Sequence, residues 1–398
     1  VNILLKKNLR EKALKLIKQY KELAAENGMF YLESILLKTE SNALMRTWKP
    51  EELLANIKGI TAQIKESVIK DNNISDMVEQ EHLAFAMITL RDNYGIKHAP
   101  KDNLNVAFLQ SKKSALTEYA EMRRLMALSY YYILQQEPGS FFKICKEVYE
   151  IRKKKWLGNK TEILTKEFTS SLQNYIVAAF YVKNLALADK LIEEYKAIQM
   201  ESAAFAFKNA VAYTHLKQDV LWHTGRHEEG EAFSKEMIQK YKIDENLENL
   251  WAYTVRIMNA KLLFEFSNGN YRDALSTLNF FNPSYINRLS EEDKKTAEML
   301  NLVMQVDIGN SQLLKPLVKS LKTRMKKITP EEAEFLSIID KPVTDKKLFY
   351  KQMQEKFPNI VLLKLLYLSD WAESKLTGTS LATVVRKNYK ARPAVMAG

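Results

Sequence analysis

The sequence predicts an all-α fold assembled from antiparallel helical hairpins. Apolar residues recur at three- and four-residue intervals through most of the 398 residues, as on one face of a helix. Only 11 glycines and 9 prolines interrupt this pattern, which favours long helices over a strand-rich fold with many turns. Candidate turn residues also recur every 40 to 44 residues, a regularity typical of stacked hairpins in an α-solenoid.

The clearest predicted hairpin spans 246–283. Its first helix has one apolar face, made of Leu247, Leu250, Trp251, Val255, Met258 and Leu262. Gly269 can adopt the left-handed backbone conformation that ends such a helix, because it has no Cβ. Ala274, five residues later, is small enough to let the second helix lie close against the first.

The chain begins with a hairpin that looks shortened. Asn8 and Ala13 stand five residues apart, as Gly269 and Ala274 do, but the helix before Asn8 is brief. We therefore expect that a segment upstream of Val1 is missing from this sequence. A helix over 29–46 follows and ends before Pro50, which is itself favoured in the first turn of the next helix.

Two separate helices are predicted before residue 100. The helix that starts at Pro50 is expected to end near Lys70, and Ser75 is placed to cap a second helix over 75–93. The stretch 92–103 is then the best candidate for a long loop and for a break within the domain.

Helices fill the rest of the chain up to the tail. They are predicted over 111–136, 141–156, 161–183, 185–199, 203–224, 228–241, 290–308, 313–327, 330–339, 345–357 and 360–371. The sequence thus predicts a single helical-repeat domain over 1–377. The basic tail over 378–398 is expected to be loose; it carries Arg386, Lys387, Lys390 and Arg392.

The repeat is defined by its turns. The turn residues are Gly139, Lys183, Gly225, Gly269 and Gly309. A small residue stands five positions after three of them: Ala188, Gly230 and Ala274. Ile144 and Leu314 take that place after Gly139 and Gly309, so these two units depart from the pattern.

The run Gly269-Asn270-Tyr271 with Ala274 resembles the turn and second helix of a tetratricopeptide repeat, and so does Lys183-Asn184-Leu185 with Ala188. The 300–327 hairpin is similar to bacterial helical-repeat proteins of this type. The units are longer than the standard repeat of about 34 residues. The resemblance implies a right-handed superhelix whose concave face, lined by the first helix of each hairpin, binds peptides or protein segments. It implies no catalytic chemistry.

The composition narrows the class of protein. Cys145 is the one cysteine, so no intramolecular disulfide can form, and its apolar neighbours indicate a buried structural thiol. No apolar run is long enough to cross a bilayer. The first ten residues lack the apolar stretch of a secretory signal, so we expect a cytoplasmic protein, with an upstream signal left open because the sequence starts at Val1.

No motif for catalysis or for a cofactor is present. The sequence has no glycine-rich phosphate loop, no His-Glu-x-x-His pair and no Gly-x-Ser-x-Gly elbow. His223 and His227 have the four-residue spacing of a helical metal pair, but Gly225 between them predicts a turn. We therefore interpret them as polar turn residues and predict a non-enzyme without metal or cofactor.

Asparagines on the first helices are the candidate peptide-binding residues. Asn174, Asn259 and Asn301 lie nine, ten and eight residues before their turns, so a groove could bring them into one line. Side-chain amides there can both donate to and accept from a peptide backbone. Arg256, one turn before Asn259, could meet a carboxylate. A chance alignment in an asparagine-rich chain is the alternative.

The positive net charge of the sequence is compatible with a second function. Lys and Arg number 60 against 48 Asp and Glu, a formal charge of +12, which favours acidic partners or nucleic acid. Basic runs occur over 152–155, over 322–327 and in the tail, and Trp156 beside the first could stack on a base. The first hypothesis is a scaffold that binds a peptide or protein. The second is a nucleic-acid-associated or peptide-responsive regulatory protein that contacts phosphate through a basic edge. The third is an assembly scaffold without a separate ligand.

Overall fold

The computed structural model describes residues 2–6, 9–44, 50–94, 104–199, 202–242, 251–280, 291–324, 328–341 and 345–392. Within these ranges the chain forms nineteen α-helices and one short β-hairpin, so the prediction of an all-α fold is confirmed. None of the helices in these ranges is long and apolar enough to cross a membrane. The contacts divide the chain into two compact units, and the second begins at Trp156.

The N-terminal unit consists of successive helices. They are α1 (Asn2–Lys6), α2 (Arg10–Glu26), α3 (Phe30–Leu44), α4 (Pro50–Tyr94), α5 (Val106–Gln110), α6 (Glu118–Leu134) and α7 (Pro138–Gly158), whose last residues belong to the second unit. The helix α2 packs against α3, α3 against α4, and α4 against α6.

The helix α4 corrects the prediction of two helices with a cap at Ser75. It continues through this point, and the Ser75 hydroxyl donates to the Asp71 carbonyl inside the helix. No glycine or proline lies between Lys70 and Ser75 to stop it. Asn73 instead donates to the Ser114 carbonyl at 2.7 Å and accepts from the Leu116 amide. The predicted loop falls on α4 over 92–94 and otherwise lies outside the described residues.

The first predicted turn is also displaced. Gly139 lies inside α7, and the left-handed residue is Gln136, at a φ of 57°. Proline is favoured in the first turn of a helix, so Pro138 starts α7 before Gly139 is reached.

The C-terminal unit starts with hairpins that pack in chain order. Their helices are α8 (Glu162–Tyr181), α9 (Leu185–Lys196), α10 (Ala203–His223), α11 (His227–Tyr241), α12 (Trp251–Ser267), α13 (Tyr271–Phe280), α14 (Glu291–Ile308), α15 (Ser311–Arg324) and α16 (Pro330–Ile339). Each helix contacts the next one along the chain, and α10 also contacts α12. The predicted turns at Lys183, Gly225, Gly269 and Gly309 are confirmed, since all four residues have positive φ.

The small residues after these turns lie at buried positions. Ala188 and Ala274 are fully buried. A Cβ added at Gly230 would lie 2.3 Å from the Phe264 ring, so α11 meets α12 where α11 has no side chain. Gly230 thus allows close approach of α11 to the first helix of the next hairpin, whereas the prediction placed such a contact within one hairpin.

After α16 the chain forms α17 (Lys346–Lys356), β1 (Val361–Leu362), β2 (Leu366–Tyr367), α18 (Leu368–Thr377) and α19 (Leu381–Ala391). The prediction of one helix over 360–371 is wrong, because an antiparallel hairpin occupies its first half. Leu363 and Lys364 of the three-residue loop between the strands both have positive φ.

The expectation of a loose tail is corrected over the residues of α19. The Ser380 side chain caps this helix by accepting from the Thr383 amide. Leu381, Val384 and Val385 are buried, which ties the helix to the rest of the unit. The positions 393–398 of the predicted tail lie outside the described residues.

One hydrophobic core runs through most of the C-terminal unit. It is continuous from Leu221 and Trp222 on α10, through α12 and α14, to Trp371 on α18 and Val385 on α19. The Trp222 indole donates to the Leu365 carbonyl at 3.1 Å. The last elements of the chain therefore fold back onto the first helices of earlier hairpins.

Candidate functional site

The predicted peptide-binding residues lie on three first helices. Asn174 is on α8, Arg256 and Asn259 are on α12, and Asn301 is on α14. All three asparagines are half-buried. Asn301 accepts a hydrogen bond from Gln305 at 3.2 Å, whereas no side-chain hydrogen bond between described residues engages Asn174 or Asn259. These two amides are therefore available to another group.

Arg256 is held by a carboxylate from the neighbouring hairpin. Its Nη2 donates to Asp219 Oδ2 at 2.6 Å, which links α12 to α10. The Asp219 side chain is 8% exposed and the Arg256 side chain is 55% exposed. The carboxylate of the pair is therefore buried, and much of the arginine side chain is exposed to solvent. Burial raises the pKa of the Asp219 carboxyl, and the Arg256 charge opposes that rise.

Asp219 belongs to a group of buried polar residues on α10. His215 and Gln218 are the nearest members, and both are almost completely buried. Gln218 donates to Ser234 Oγ at 2.7 Å and to the Ile257 carbonyl at 3.2 Å. Polar groups in such places cost stability unless they are bonded, so this part of α10 is not optimised for packing alone.

The other first helices have apolar residues at the same places. Gln218 lies seven residues before its turn residue, where α8, α12 and α14 have Ile176, Leu262 and Leu302. Asp219 lies six residues before it, where the others have Val177, Leu263 and Val303. At these two positions, polar residues are thus found on α10 alone among the four helices, although α12 buries Glu265 and α14 buries Gln305 elsewhere.

His215 extends the predicted line of asparagines to α10. It lies ten residues before Gly225, as Asn259 lies ten residues before Gly269. Burial lowers its pKa well below the usual value, so the imidazole is neutral near pH 7. Its register with Asn259 is the sequence signal that places it in this line, although the asparagine pattern alone does not include it.

His227 and His223 are engaged by different neighbours. The His227 ring stacks on Trp222 at 4.2 Å, its Nε2 donates to the Trp222 carbonyl at 3.0 Å, and its Nδ1 accepts from Ser267. Both nitrogens of His227 are therefore already bonded. The His223 ring stacks on Tyr389 of α19 at 4.1 Å. Burial lowers the pKa of His227 to about 4 and that of His223 to about 3.

Three carboxylates meet where α11 faces the α12–α13 turn. Oxygens of Glu231, Glu265 and Asp273 lie within 4.8 Å of one another. Lys235 bridges Glu231 at 2.7 Å and Asp273 at 3.1 Å, and Lys261 lies 2.6 Å from Glu265. Two ammonium groups thus compensate the negative charge of this cluster, which ties adjacent hairpins together.

The cysteine of the N-terminal unit is not a candidate nucleophile. Burial raises the pKa of the Cys145 thiol, which disfavours a reactive thiolate.

The basic runs are partly used within the protein. Trp156 stacks on Phe168 at 4.7 Å and its indole donates to Thr165 at 3.0 Å, so its ring face is engaged. Lys155 pairs with Glu118 at 2.8 Å. An exposed basic stripe remains on α15, made of Lys315, Lys319 and Lys322. Lys326 and Lys327 lie outside the described residues.

Comparison with known proteins gives no relative. No protein-family model, no curated protein and no solved structure matches the chain. The resemblance to tetratricopeptide repeats therefore rests on the turn and second-helix residues alone.

Proposed function

We propose that the chain is a non-catalytic scaffold that binds a peptide or protein segment. In this proposal the hairpins from α8 to α15 form a right-handed, tetratricopeptide-like α-solenoid. The first helices α8, α10, α12 and α14 line its binding face. The succession of contacts between neighbouring helices supports this arrangement, and so do the left-handed turns that recur at similar intervals.

The Asp219–Arg256 pair is the observation that carries the proposal. An exposed arginine normally loses conformational freedom when it binds a ligand, and that loss opposes binding. Here the buried carboxylate already fixes one edge of the guanidinium, while 55% of the side chain remains accessible. The other guanidinium N–H groups can then donate to a carboxylate of the ligand.

The amides on the same first helices complete the proposed site. Asn259 lies nearly one helical turn from Arg256, so the two project from the same side of α12. With Asn174 and Asn301 they can hydrogen-bond to the backbone of an extended peptide. Recognition of backbone groups and of one acidic group would make an acidic peptide the preferred ligand.

Selection of random 12-residue peptides displayed on phage tests this function. We expect the unaltered chain to enrich peptides with an acidic residue or a terminal carboxylate. Arg256→Gln should weaken binding of a selected peptide about ten-fold, the loss typical of one charged hydrogen bond. Arg226→Gln is the matched control, because Arg226 also pairs with carboxylates but lies at a turn. Equal losses in both variants would contradict the proposed site.

The basic stripe on α15 favours a second function, contact with nucleic-acid phosphates. Its three lysines are exposed and lie three or four residues apart, on one side of the helix. A random DNA duplex titrated at rising salt tests this function, since phosphate contacts weaken steeply with salt. Replacing Lys315, Lys319 and Lys322 by Gln should reduce the salt dependence, and absence of binding at low salt would exclude this function.

A further inference from the structure

The last described helix, α19, lies across the ends of two first helices. The Tyr389 hydroxyl donates to the Phe180 carbonyl at 2.9 Å, at the end of α8. Lys183 Nζ in the following turn donates to the Tyr389 carbonyl at 2.8 Å. The Tyr389 ring also stacks on His223 at the end of α10. The C-terminal end of α19 thus contacts the Phe180 carbonyl, the Lys183 ammonium group and the His223 ring.

The other end of α19 rests on Gly225. A Cβ added at Gly225 would lie 2.5 Å from the Ala382 carbonyl oxygen and 3.2 Å from Arg386 Cβ. Gly269 and Gly309 have the same left-handed conformation, yet no described atom lies within 4 Å of a Cβ added at either. Gly225 therefore serves both the turn and the approach of α19.

The side chains of α19 make two different sets of contacts. Leu381, Val385 and Tyr389 lie four residues apart; the first two enter the shared core, and the third contacts α8 and α10. Arg392 and Asn388 bond to Asp370 of α18. Hence α19 places two aliphatic residues, four positions apart, in the shared core and presents an aromatic hydroxyl to α8 and α10.

We propose that Phe180, Lys183, His223 and Gly225 form a docking surface for an amphipathic helix, and that α19 is its internal occupant. The partner would be a helix with aliphatic residues four positions apart and a tyrosine four positions further. Such a helix offers a hydroxyl to the Phe180 carbonyl and its last carbonyls to Lys183, which is the chemistry that α19 supplies here. This surface lies at the turns, so the proposal stands independently of the Arg256 site.

Exchange of α19 for a partner requires that it detach without unfolding the hairpins. The linker to α18, Gly378 to Ser380, is exposed. The polar face of α19 points to α18 rather than to the hairpins, so its departure leaves no charge buried on α8 or α10. It does remove Arg392 and Asn388 from the buried Asp370 carboxylate of α18. Local opening of a terminal helix below the cost of global unfolding is common in proteins.

The first experiment separates the surface from its occupant in the full chain. Val385→Asp with Tyr389→Ala should detach α19 and leave the surface intact. A fluorescein-labelled peptide of residues 379–392 is titrated in an anisotropy assay. We expect the double variant to bind it at least about ten-fold more tightly than the unaltered chain, in which tethered α19 competes. Adding Gly225→Ala should abolish this gain, whereas adding Gly269→Ala, with the same positive φ, should preserve it.

Hydrogen exchange of the unaltered chain distinguishes a replaceable occupant from a fixed part of the fold. We expect amides of α19 to exchange at least about ten-fold faster than those of α10 and α12. An excess of unlabelled peptide should speed exchange in α19 further, because it captures the vacated surface. The proposal is overturned if α19 and α10 exchange at one rate, or if the folded double variant binds no peptide.

Discussion

The hairpins α10–α11 and α12–α13 follow one plan and differ in what they bury. Both have a left-handed glycine at the turn and a small residue five positions later. However, α10 buries Gln218 and Asp219 where α12 buries Leu262 and Leu263. The turn at Gly225 is covered by α19, while no described atom lies near a Cβ placed on Gly269.

This difference distinguishes the residues that the hairpin fold requires from the core residues that can vary between hairpins. The turn glycine and the small residue recur because the backbone demands them. A buried leucine contributes roughly 1.5–3 kcal/mol, whereas a bonded buried amide contributes about 1 kcal/mol. Polar residues at core positions of α10 thus lower the stability that this hairpin could reach. Such a cost is typical of residues that serve binding.

Exchanging one core residue between the two hairpins should give the largest effect. We expect Leu262→Gln to lower the free energy of unfolding by about 4 kcal/mol, because it removes apolar burial and adds an unbonded amide. Gln218→Leu should change it by less than about 1 kcal/mol, since Gln218 Oε1 has no partner among the described residues. Urea denaturation measures both, and equal losses would show that the two positions are equivalent.

The turn glycines should respond unequally to the same substitution. Gly225→Ala is expected to cost about 3 kcal/mol, from left-handed strain and from the clash with the Ala382 carbonyl. Gly269→Ala should cost only the strain, about 1–2 kcal/mol. Thermal denaturation of the two variants checks the difference. A Gly269 variant as unstable as the Gly225 variant would contradict the role of α19 contact.

The residue two positions after each glycine predicts a difference in pH dependence. His227 has a pKa of about 4, below its usual 6.5, because it is buried; Tyr271 holds this place in α13. The unfolded chain therefore binds a proton at His227 that the folded chain does not. Stability should fall as pH drops from about 6.5 to 4, by on the order of 2–3 kcal/mol for this group.

Urea denaturation at pH 7, 5.5 and 4.5 measures this effect against His227→Phe. The variant should lose less stability over the same range, although its stability at pH 7 should be lower without the Ser267 hydrogen bond. Glu231 has a lowered pKa, and its contribution is lost at more acidic pH in both chains, so it cancels in the difference. Identical pH slopes would contradict the neutral, buried state of His227.

The small residues of the second helices should give the smallest effects. Gly230→Ala is expected to cost about 2 kcal/mol, since its Cβ would overlap the buried Phe264 ring. Ala274→Gly should cost about 1 kcal/mol through helix propensity and a small lost contact. Differential scanning calorimetry compares them; a neutral Gly230→Ala would show that α11 can move away from α12.

The sequence predicted the features that depend on local pattern. Turns at Lys183, Gly225, Gly269 and Gly309 follow from residues within one or two helical turns. The continuity of α4 was missed because Ser75 has the character of a cap, while its hydroxyl bonds inside the helix. Helix α19 was missed because its stability comes from contacts with residues far away in sequence.

The candidate site was predicted in part for the same reason. Arg256 and Asn259 could be placed on a first helix from their distance to Gly269. The pairing of Arg256 with Asp219 joins residues 37 positions apart, and no sequence pattern near Asp219 predicts this ion pair. Likewise, the burial of Gln218 is decided by Ser234 and Ile257 from neighbouring helices.

The central claim is that Asp219 acts on a ligand through Arg256. Calorimetric titration of a display-selected acidic peptide into four chains tests it: the unaltered chain, Asp219→Asn, Arg256→Gln and the double variant. We expect Asp219→Asn to weaken binding about three- to ten-fold when Arg256 is present and to have no effect when it is absent. The same loss from Asp219→Asn in both backgrounds would contradict it.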